Sequence, residues 1–588
     1  MSNSSDKIDI NEIKDPSFLK ELSYGGLEAL SRQVREQIIV HAAANGGHLS
    51  SNLGVVELVI SLHRNFDFKN DKLLFDVGHQ SYTNKILTGR HLDNLGLKGS
   101  VSFFQSRLES PYDVYEAGHS STSLSAALGF AKARDLKGEK HDVVALIGDS
   151  SFANGLAFEG LNNIASSGNK VIIALNDNRM SISPPVGGLS HYLDKLAGGK
   201  APENFFSELG LEYIGPVDGH DFIALDEAIN KAKNSDKSVI LHIITQKGRG
   251  YTYSENDKIG LWHGPDPFDP ETGKPLSDHR GEICWAEQMA DFSLELMKEH
   301  QNSIMLVCGT LIGSNLQPVE EKYKDSGRFI DVGISEEHAF TMAGAMALNG
   351  LHPIVDIYSC FLQRSYDELS HDCARFNVDM SVLIDRAGLV GRPGETHQGI
   401  YDVAFLKSIP NVTITMPSNA EEAKALYRQS FDHHGVFCIR YPKTYMRRRK
   451  NVADVELPYG RFAFLKEDSK DLAIVAVGPS SRALESSLAI EGIHATLINP
   501  IYLNKFDPED IKRLSGFRKI FIYDVTGVYS GFAQSLEAAL LEANYRGRIK
   551  VKAVPDCFVG HASLQDQFDD LGLSIEKTIA ALKEFIRQ

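Results

Sequence analysis

The stretch VVALIGDSSFANGLAFEGLNN at 143–163, followed by KVIIALNDNRM at 170–180, is the clearest indication of the fold class. Each piece opens with an apolar, β-branched run and then turns polar, and a helix-like segment separates the two runs. This order is typical of two neighbouring parallel strands joined by a helix. Asp149 follows the first run, and Asn178 follows the second run 29 residues later.

Oxygen-bearing side chains at both strand ends predict a metal site. Because the carboxyl ends of parallel strands meet at one edge of a sheet, we expect Asp149 and Asn178 to lie close together. Carboxylate and amide oxygens with a nearby backbone carbonyl suit Mg²⁺, which takes few protein ligands and also binds substrate phosphates. The alternative is a pair of ordinary Asx turns, in which both side chains bond to the local backbone. These two residues by themselves leave both interpretations open.

The rest of the chain repeats the same alternation of strands and helices. Leu27, Leu30, Val34 and Ile38 recur at helical spacing and predict an early helix. We therefore expect an α/β fold with mainly parallel sheets. Further strand-like runs lie at 238–244, 381–386, 472–478 and 519–524.

Two segments have the composition of linkers. GPDPFDPETGKP at 264–275 has four prolines, which exclude regular structure, and the basic-to-mixed segment 443–458 ends at Pro458. A chain of 588 residues is also too long for a single core. The predicted domains are 1–275, 280–445 and 459–588.

The overall composition limits the class of protein. A formal net charge of −16 argues against nucleic acid as the main partner. Six scattered cysteines without a CxxC pair are typical of a reducing compartment. The first residues have no apolar core of a signal peptide, and no apolar run has the length of a membrane-spanning helix. We expect a cytoplasmic protein that does not bind a membrane.

Histidines recur in glycine-containing loops. They are His48 in GGHLSSNLG, His79 in DVGHQSY, His119 in EAGHSSTS, His263 in LWHG and His397 in GETHQG. Glycine lets a backbone approach a ligand closely, and histidine titrates near neutral pH and can move protons. A single loop histidine is usually a plain surface residue, but five in such loops indicate a site.

Many motifs, in order along nearly the whole chain, resemble the 1-deoxy-D-xylulose-5-phosphate synthase family. They include GGHLSSNLGVVEL, DVGHQSY, AGHSSTS, NDNRMSIS, KGRGY, SEEHA, YSCFLQRSYDE, IDRAGLVG, THQG and RYPK. These are transketolase-like enzymes that depend on thiamine diphosphate and Mg²⁺. The resemblance implies two thiamine diphosphate-binding-fold domains, one for the diphosphate (1–275) and one for the pyrimidine (280–445). It also implies a transketolase C-terminal-type domain (459–588) and a homodimer, with the active site between the first two domains.

The resemblance assigns expected roles to individual residues. Glu336 in SEEHA matches the glutamate at N1′ of the aminopyrimidine, whose protonation or hydrogen bonding activates the cofactor. The implied metal ligands are Asp149, Asn178 and the backbone carbonyl of Met180. The implied cofactor contacts, besides Glu336 and Asn178, are His79, Gly118, His119, Ser120, Ser150, Ser151, Tyr251, Tyr358 and Phe361. Candidates for orienting the substrate and moving protons are His48, His79, His263 and His397, and the implied phosphate anchors are Arg386 and Lys443.

The implied reaction joins pyruvate to D-glyceraldehyde 3-phosphate, releases CO₂ and gives 1-deoxy-D-xylulose 5-phosphate. Four differences from the family pattern qualify this expectation: Ser150 replaces a glycine, Pro393 an aspartate and Lys443 an arginine, and the segment after Met180 is short. They leave two alternatives open, a related ketol or acyl transferase with another acceptor and a catalytically silent thiamine diphosphate-binding paralogue. A structural protein without a cofactor is a further, less favoured alternative.

Overall fold

The computed structural model describes residues 8–180, 186–201, 203–448 and 451–588. The chain divides into two compact units. The first comprises Met1–Asp278 with Gly333–Ser335, and the second comprises His279–Val332 with Glu336–Gln588.

The first unit is built on a five-stranded parallel sheet in the order β1-β2-β3-β5-β4. Its apolar strands are covered by helices, as a parallel sheet requires. The strands are β1 Lys72–Phe75, β2 Val143–Gly148, β3 Ile172–Asp177, β4 Glu212–Asp218 and β5 Val239–Ile244. The helices are α1 Tyr24–Asn45, α2 Ser50–Gly54, α3 Val56–Asn65, α4 Tyr82–Leu87, α5 Ser123–Leu136, α6 Asp149–Phe152, α7 Gly155–Ser167, α8 Gly188–Ala197, α9 Phe205–Glu208, α10 Phe222–Asn234 and α11 Thr252–Glu255.

Helix α1 shows how local sequence sets an element. Its first turn is capped by Ser23, whose hydroxyl accepts a hydrogen bond from the Gly26 N–H, and the helix ends at Gly46 with φ of 72°. The predicted helical residues Leu27, Leu30, Val34 and Ile38 are all buried in the core of the first unit. The expected early helix is confirmed.

The second unit contains two sheets. One is a six-stranded parallel sheet in the order β11-β12-β10-β9-β7-β8, beside which β6 and β13 form an antiparallel pair. Its strands are β6 Glu282–Cys284, β7 Ser303–Val307, β8 Phe329–Asp331, β9 His352–Tyr358, β10 Met380–Asp385, β11 Val412–Thr415, β12 Val436–Arg440 and β13 Tyr445–Arg447. Its helices are α12 Trp285–Glu299, α13 Gln317–Tyr323, α14 Glu336–Leu348, α15 Ser359–Leu362, α16 Tyr366–Glu368, α17 Asp402–Leu406 and α18 Ala420–Ser430.

The other sheet of the second unit has the order β14-β16-β15-β17-β18, in which only β14 runs antiparallel. Its strands are β14 Ala463–Glu467, β15 Leu472–Ala476, β16 Thr496–Asn499, β17 Lys519–Val528 and β18 Arg548–Val554. Its helices are α19 Pro479–Ile490, α20 Pro508–Leu514, α21 Phe532–Glu542, α22 Leu564–Asp570 and α23 Ile575–Arg587. The predicted α/β class with mainly parallel sheets is confirmed, whereas the division into three domains stays a prediction.

The two linker segments differ in structure. Segment 264–275 contains no helix or strand and only one isolated bridge, from Phe268 to Pro275. Segment 443–458 contains β13, whose backbone pairs with β6, so part of it is ordered by ladder hydrogen bonds.

In the short segment after Met180, α8 is formed, and residues 181–185 and 202 lie outside the described part of the chain. No helix among the described residues has the length and apolar character needed to cross a membrane.

Candidate active site

The expected closeness of Asp149 and Asn178 is confirmed. Strands β2 and β3 pair in register, and Asp149 begins α6 directly after β2. Its Oδ2 accepts a hydrogen bond of 2.9 Å from the Arg179 N–H, next to Asn178 in sequence. The Asn178 side chain also forms a local turn, because its Oδ1 accepts a hydrogen bond of 3.0 Å from the Met180 N–H. An amide oxygen has a second lone pair, so this turn leaves room for a metal bond.

The Asp149 carboxylate is buried, and its contacts with the described residues are hydrogen bonds from N–H and hydroxyl donors. Among the described residues it accepts hydrogen bonds from Arg179 and from Ser150, whose N–H and hydroxyl lie 2.6 and 3.1 Å from Oδ1, and it forms no ion pair. Burial and the nearby Asp177 carboxylate raise the pKa of Asp149 to about 6. A buried carboxylate that forms no ion pair with the described residues, although the Lys247 charge lies near enough to interact with it, fits a divalent cation. No group of three or more His, Cys, Asp and Glu in the described ranges could hold a metal, so an ion here needs other oxygen ligands.

A further carboxylate, Asp76, orders the neighbouring loop and escaped the sequence analysis. Its two oxygens accept hydrogen bonds from the backbone N–H groups of Ser121 and Ser123, at 2.8 and 3.2 Å. The Ser121 hydroxyl in turn donates to the Ser151 carbonyl, 2.8 Å away. Asp76 follows β1 as Asp149 follows β2, so its position at a strand end was the available signal.

Residues 118–120, expected to contact the cofactor, lie in this loop. Gly118 has φ of 74°, a left-handed conformation that glycine adopts easily, and its N–H donates to the Val77 carbonyl at 2.7 Å. His119 and Ser120 are half-buried, and Ser151 is buried. The Asp76 contacts link residues 118–123 to Ser151, beside Asp149.

Three of the predicted histidines form one cluster in the first unit. The ring centroids of His48 and His79 are 5.2 Å apart, and those of His48 and His263 are 5.5 Å apart. His79 and His263 complete the triangle at 5.3 Å. The Nδ1 atoms of His79 and His263 are buried and have no hydrogen-bond partner among the described residues. His397 belongs to the second unit and is not part of this cluster.

The buried side-chain amide of Asn52 holds the backbone of the histidine cluster in place. Its Nδ2 donates to the carbonyl oxygens of His48 and His79, each at 2.7 Å, and its Oδ1 accepts from the Tyr82 N–H at 2.9 Å. Asn52 was not singled out from the sequence, although it lies in the GGHLSSNLG motif. All three hydrogen bonds of the Asn52 amide are made to backbone groups. Asn52 therefore fixes the backbone positions of His48 and His79, from which two rings of the cluster extend.

Lys247 also faces the cluster and was missed by the sequence analysis. Burial lowers the pKa of its ammonium to about 8. Burial, assisted by the charges of Lys247 and neighbouring histidines, lowers the pKa of His79 and of His263 well below the usual value. The lowered pKa favours the neutral form of both rings, which can donate a hydrogen bond from one nitrogen and accept one at the other.

Tyr251 is packed into an aromatic group. Its ring lies 5.3 Å from that of Trp262 and 5.9 Å from that of Phe268, measured between centroids. Its hydroxyl donates a hydrogen bond of 3.1 Å to the Pro270 carbonyl. The expected cofactor contact of Tyr251 stays a prediction.

In the second unit, Glu336 occupies the first position of α14 and is 3% exposed. Its Oε2 is buried and accepts no hydrogen bond from the described residues, and Arg364 lies 3.7 Å away. Burial raises the pKa of Glu336 to about 7, although the Arg364 charge opposes this rise. Glu336 is therefore a carboxyl group that holds and releases a proton near neutral pH.

The predicted aromatic pair, Tyr358 and Phe361, also lies in the second unit. Tyr358 ends β9 and Phe361 lies in α15, and their rings are stacked with centroids 5.4 Å apart. The His397 ring meets Phe361 edge-on at 5.6 Å, and its Nδ1 lies 2.8 Å from the Thr396 hydroxyl. A flat heterocycle gains from such an aromatic surface.

Arg386, a predicted phosphate anchor, stacks on Tyr358 with its guanidinium carbon 3.8 Å from the ring centroid. Its φ of 59° is unusual for a non-glycine residue, which is a feature of residues at functional sites. Behind it lies Asp385, whose pKa is raised to about 6 by burial while Arg386 and Lys443 oppose the rise. A second buried acid, Asp356, has its pKa raised to about 7 by burial and by Asp385, and was not expected from the sequence.

Two family models match the sequence. The one described as 1-deoxy-D-xylulose-5-phosphate synthase matches residues 10–204 and 199–245. The one described as transketolase, pyrimidine binding domain, matches residues 282–448.

Curated relatives resemble the chain over nearly its full length. The 1-deoxy-D-xylulose-5-phosphate synthase of Listeria monocytogenes serotype 4b (strain CLIP80459) is 38% identical over 99% of this chain and 98% of its own. That of Macrococcus caseolyticus (strain JCSC5402) is also 38% identical, over 98% of this chain and 99% of its own. Among solved structures, transketolase from Campylobacter jejuni is 17% identical over 96% of this chain and 99% of its own, with a TM-score of 0.45.

Proposed function

The chain belongs to the 1-deoxy-D-xylulose-5-phosphate synthase family, and we propose that the residues described above carry out the reaction of that family. It is the condensation of pyruvate with D-glyceraldehyde 3-phosphate, with loss of CO₂, to 1-deoxy-D-xylulose 5-phosphate, a precursor of isoprenoids, thiamine and pyridoxal. The cofactor is thiamine diphosphate. The single observation that carries the proposal is Glu336, a buried carboxyl group with an oxygen that accepts no hydrogen bond from the described residues.

The residues of the first unit suit the diphosphate end of the cofactor. Backbone N–H groups and hydroxyls of His119, Ser120 and Ser151 are the proposed donors for phosphate oxygens. The N–H groups of Gly118 and Ser150 already donate to the Val77 carbonyl and to Asp149, so these two residues are proposed to contact the cofactor through their other atoms. We propose that Mg²⁺ is held by Asp149, Asn178 and the Met180 carbonyl. The buried carboxylate of Asp149, without an ion pair among the described residues, supports this assignment.

The residues of the second unit suit the aminopyrimidine end. Tyr358 and Phe361 present a stacked aromatic surface, and Glu336 can donate a proton to a ring nitrogen or accept one from it. Thiamine diphosphate, when bound, supplies a nucleophilic C2 carbon and an electron sink for decarboxylation. The chain itself contributes a proton held at Glu336 and burial of the groups that surround it.

Four histidines and two cationic side chains are proposed to bind the two substrates. His48, His79, His263 and His397 are proposed to orient the pyruvate carboxylate and to move protons at the carbonyl oxygens. Two of them, His79 and His263, have buried Nδ1 atoms without hydrogen-bond partners in the described ranges, which supports this role. Arg386 and Lys443 supply positive charge for the phosphate of the acceptor.

We further propose that the enzyme is a homodimer in the cytoplasm. Six free cysteines, four of them buried, agree with a reducing compartment. Sedimentation of the purified enzyme at several concentrations tests the assembly: a monomer at all concentrations would contradict it.

Carbon-13 NMR tests the reaction. Purified protein is given thiamine diphosphate, Mg²⁺, labelled pyruvate and glyceraldehyde 3-phosphate, and we expect labelled 1-deoxy-D-xylulose 5-phosphate and CO₂. No product with this aldehyde but turnover with another would instead establish a transferase with a different acceptor, the alternative that Pro393 and Lys443 raise. Bound thiamine diphosphate without turnover of any aldehyde would establish a silent paralogue.

A further inference from the structure

One loop of the second unit carries His397 and is closed at its base. Gly388 and Gly399 form a bridge, with reciprocal N–H to carbonyl hydrogen bonds of 2.6 and 2.8 Å. The residues between them, the 389–398 loop, include Gly391, Pro393 and His397. Because the bridge fixes only the base, the tip of the loop needs other contacts to hold one conformation.

Gln567 in α22 supplies those contacts at Gly391. The Gly391 N–H donates to Gln567 Oε1, and Gln567 Nε2 donates to the Gly391 carbonyl, both at 3.0 Å. The same Nε2 also donates to the Gly560 carbonyl at 2.8 Å. Gln567 is 2% exposed, so its amide group is fully used within the protein. One side chain therefore joins the loop tip to residue 560, more than 160 residues away in sequence.

The loop tip also lies directly against the backbone before α22. Gly391 has φ of 79°, and a Cβ there would approach the Leu564 nitrogen to 3.3 Å. Gly394 has φ of 72°, and a Cβ there would lie 3.1 Å from the His561 nitrogen. Side chains at either position would strain the backbone and push segment 561–564 away. The two surfaces thus fit each other closely.

Apolar packing joins the flanks of the loop to the same region. Leu389 and Ile400 are buried in one cluster with Val559 and Leu573. At the end of the loop, the His397 ring packs edge-on against Phe361. A shift of the tip would therefore move His397 relative to the aromatic pair.

We propose that Gln567 is a positioning residue, which holds the 389–398 loop so that His397 and the residue at 393 face the substrates. This gives the C-terminal sheet and its helices a role in the reaction, although none of their residues was expected in the site. The inference rests on the proposed function only where it concerns substrates. The attachment of the loop to Gln567 can be tested without turnover.

Hydrogen exchange measured by mass spectrometry on the whole protein tests the attachment. Gln567→Met keeps the volume of the side chain but removes all three hydrogen bonds. We expect peptides covering 389–398 to exchange about tenfold faster, because buried polar groups lose their partners. Peptides from β15 and β17 should exchange as in the wild type. Unchanged exchange at 389–398 would overturn the proposal.

Two further variants keep the test decisive. Gln565→Met changes the same residue type on the same helix at an exposed position, where the side chain donates to Asp569 in α22 itself, and it should leave the loop unchanged. An equal effect of Gln565→Met would overturn the assignment to Gln567. If Gln567→Met does not fold, Gln567→Glu serves instead, since it keeps the shape but removes the two donated hydrogen bonds.

Steady-state kinetics test the positioning role. In Gln567→Met we expect KM for the two substrates to rise about tenfold, with a smaller change in kcat and unchanged affinity for thiamine diphosphate. Faster loop exchange with unchanged KM would overturn the role in positioning. A wild-type protein that makes no 1-deoxy-D-xylulose 5-phosphate would contradict the proposed function but leave the hydrogen-exchange result valid.

Discussion

Asn52 donates a hydrogen bond of 2.7 Å from its Nδ2 to the carbonyl oxygen of His79, 27 residues further along the chain. With its second bond, to the carbonyl of His48, it places two rings of the histidine cluster. We predict that Asn52→Leu, which keeps the volume but removes the amide, lowers kcat on the order of 10²-fold. Assay of product formation at saturating substrates measures this effect.

The matched control for Asn52 is Asn163→Leu. The Asn163 amide is exposed and donates to the Glu159 carbonyl within its own helix. Circular dichroism should show both variants folded, and only Asn52→Leu should lose activity. Wild-type turnover in folded Asn52→Leu would show that the cluster does not depend on this amide.

Glu336→Gln should abolish turnover, because the amide cannot exchange a proton with the cofactor. We expect a loss of on the order of 10²-fold or more in kcat, with the fold retained. Residual activity above roughly a tenth of the wild-type value would contradict the role of Glu336 in cofactor activation.

The same variant should change stability with pH. The pKa of Glu336 is raised from 4.5 to about 7 in the folded protein, so ionising this group disfavours folding. The protonated carboxyl group stabilises the folded state relative to the ionised carboxylate. This contribution is complete below pH 4.5 and is lost as the pH rises through about 7. Glu336→Gln has no ionisable group at this position, so its free energy of unfolding should rise relative to that of the wild type as the pH increases from 4.5 to 7. Above pH 7 the difference should stay constant at up to about 3 kcal/mol.

Thermal unfolding of the cofactor-free proteins from pH 4 to pH 8 measures this difference. Glu321→Gln, on an exposed position of α13, is the control for removing one surface carboxylate. Its effect is subtracted from that of Glu336→Gln at each pH. A pH-independent difference for Glu336→Gln would show that the carboxyl group is not perturbed.

Ser150→Gly should strengthen Mg²⁺ binding. The Ser150 hydroxyl lies 3.1 Å from Asp149 Oδ1 and competes with a cation for that oxygen. Removing one such hydrogen bond should tighten the apparent affinity for Mg²⁺ by roughly two- to tenfold. Calorimetric titration of Mg²⁺ at fixed thiamine diphosphate measures the affinity, and Ser166→Gly, at an exposed helix position, is the control. Weaker binding in Ser150→Gly would mean that the hydroxyl supports the site.

Lys443→Arg should improve use of the phosphorylated acceptor. Lysine presents a point charge, whereas arginine can grip a phosphate with two parallel hydrogen bonds. We expect KM for glyceraldehyde 3-phosphate to fall several-fold while KM for pyruvate is unchanged. Initial rates over both substrates measure this. Equal changes in both KM values would place Lys443 outside the phosphate site.

Most helices and strands, and several residues of the site, could be predicted from the amino-acid sequence. Alternating apolar runs and helical segments fixed the parallel sheets, and the exits of β2 and β3 brought Asp149 next to Asn178. The family resemblance singled out Glu336 in SEEHA and the aromatic residues Tyr358 and Phe361 in YSCFLQR, and the structure places Glu336 at the start of α14 and stacks the two aromatic rings. The strands, the helices and the closeness of Asp149 to Asn178 depend on neighbours along the chain or on adjacent strands, which local periodicity indicates.

Contacts between residues far apart in the sequence became known from the three-dimensional fold. It gathered His48, His79 and His263 into a cluster and left His397 in the other unit. The fold also buries Glu336 and Lys247, and this burial shifts their pKa values. The supporting residues Asn52, Asp76 and Gln567 bind backbone groups from distant segments. No sequence pattern encodes these contacts, because they depend on the paths of loops and on close packing between elements far apart in the chain.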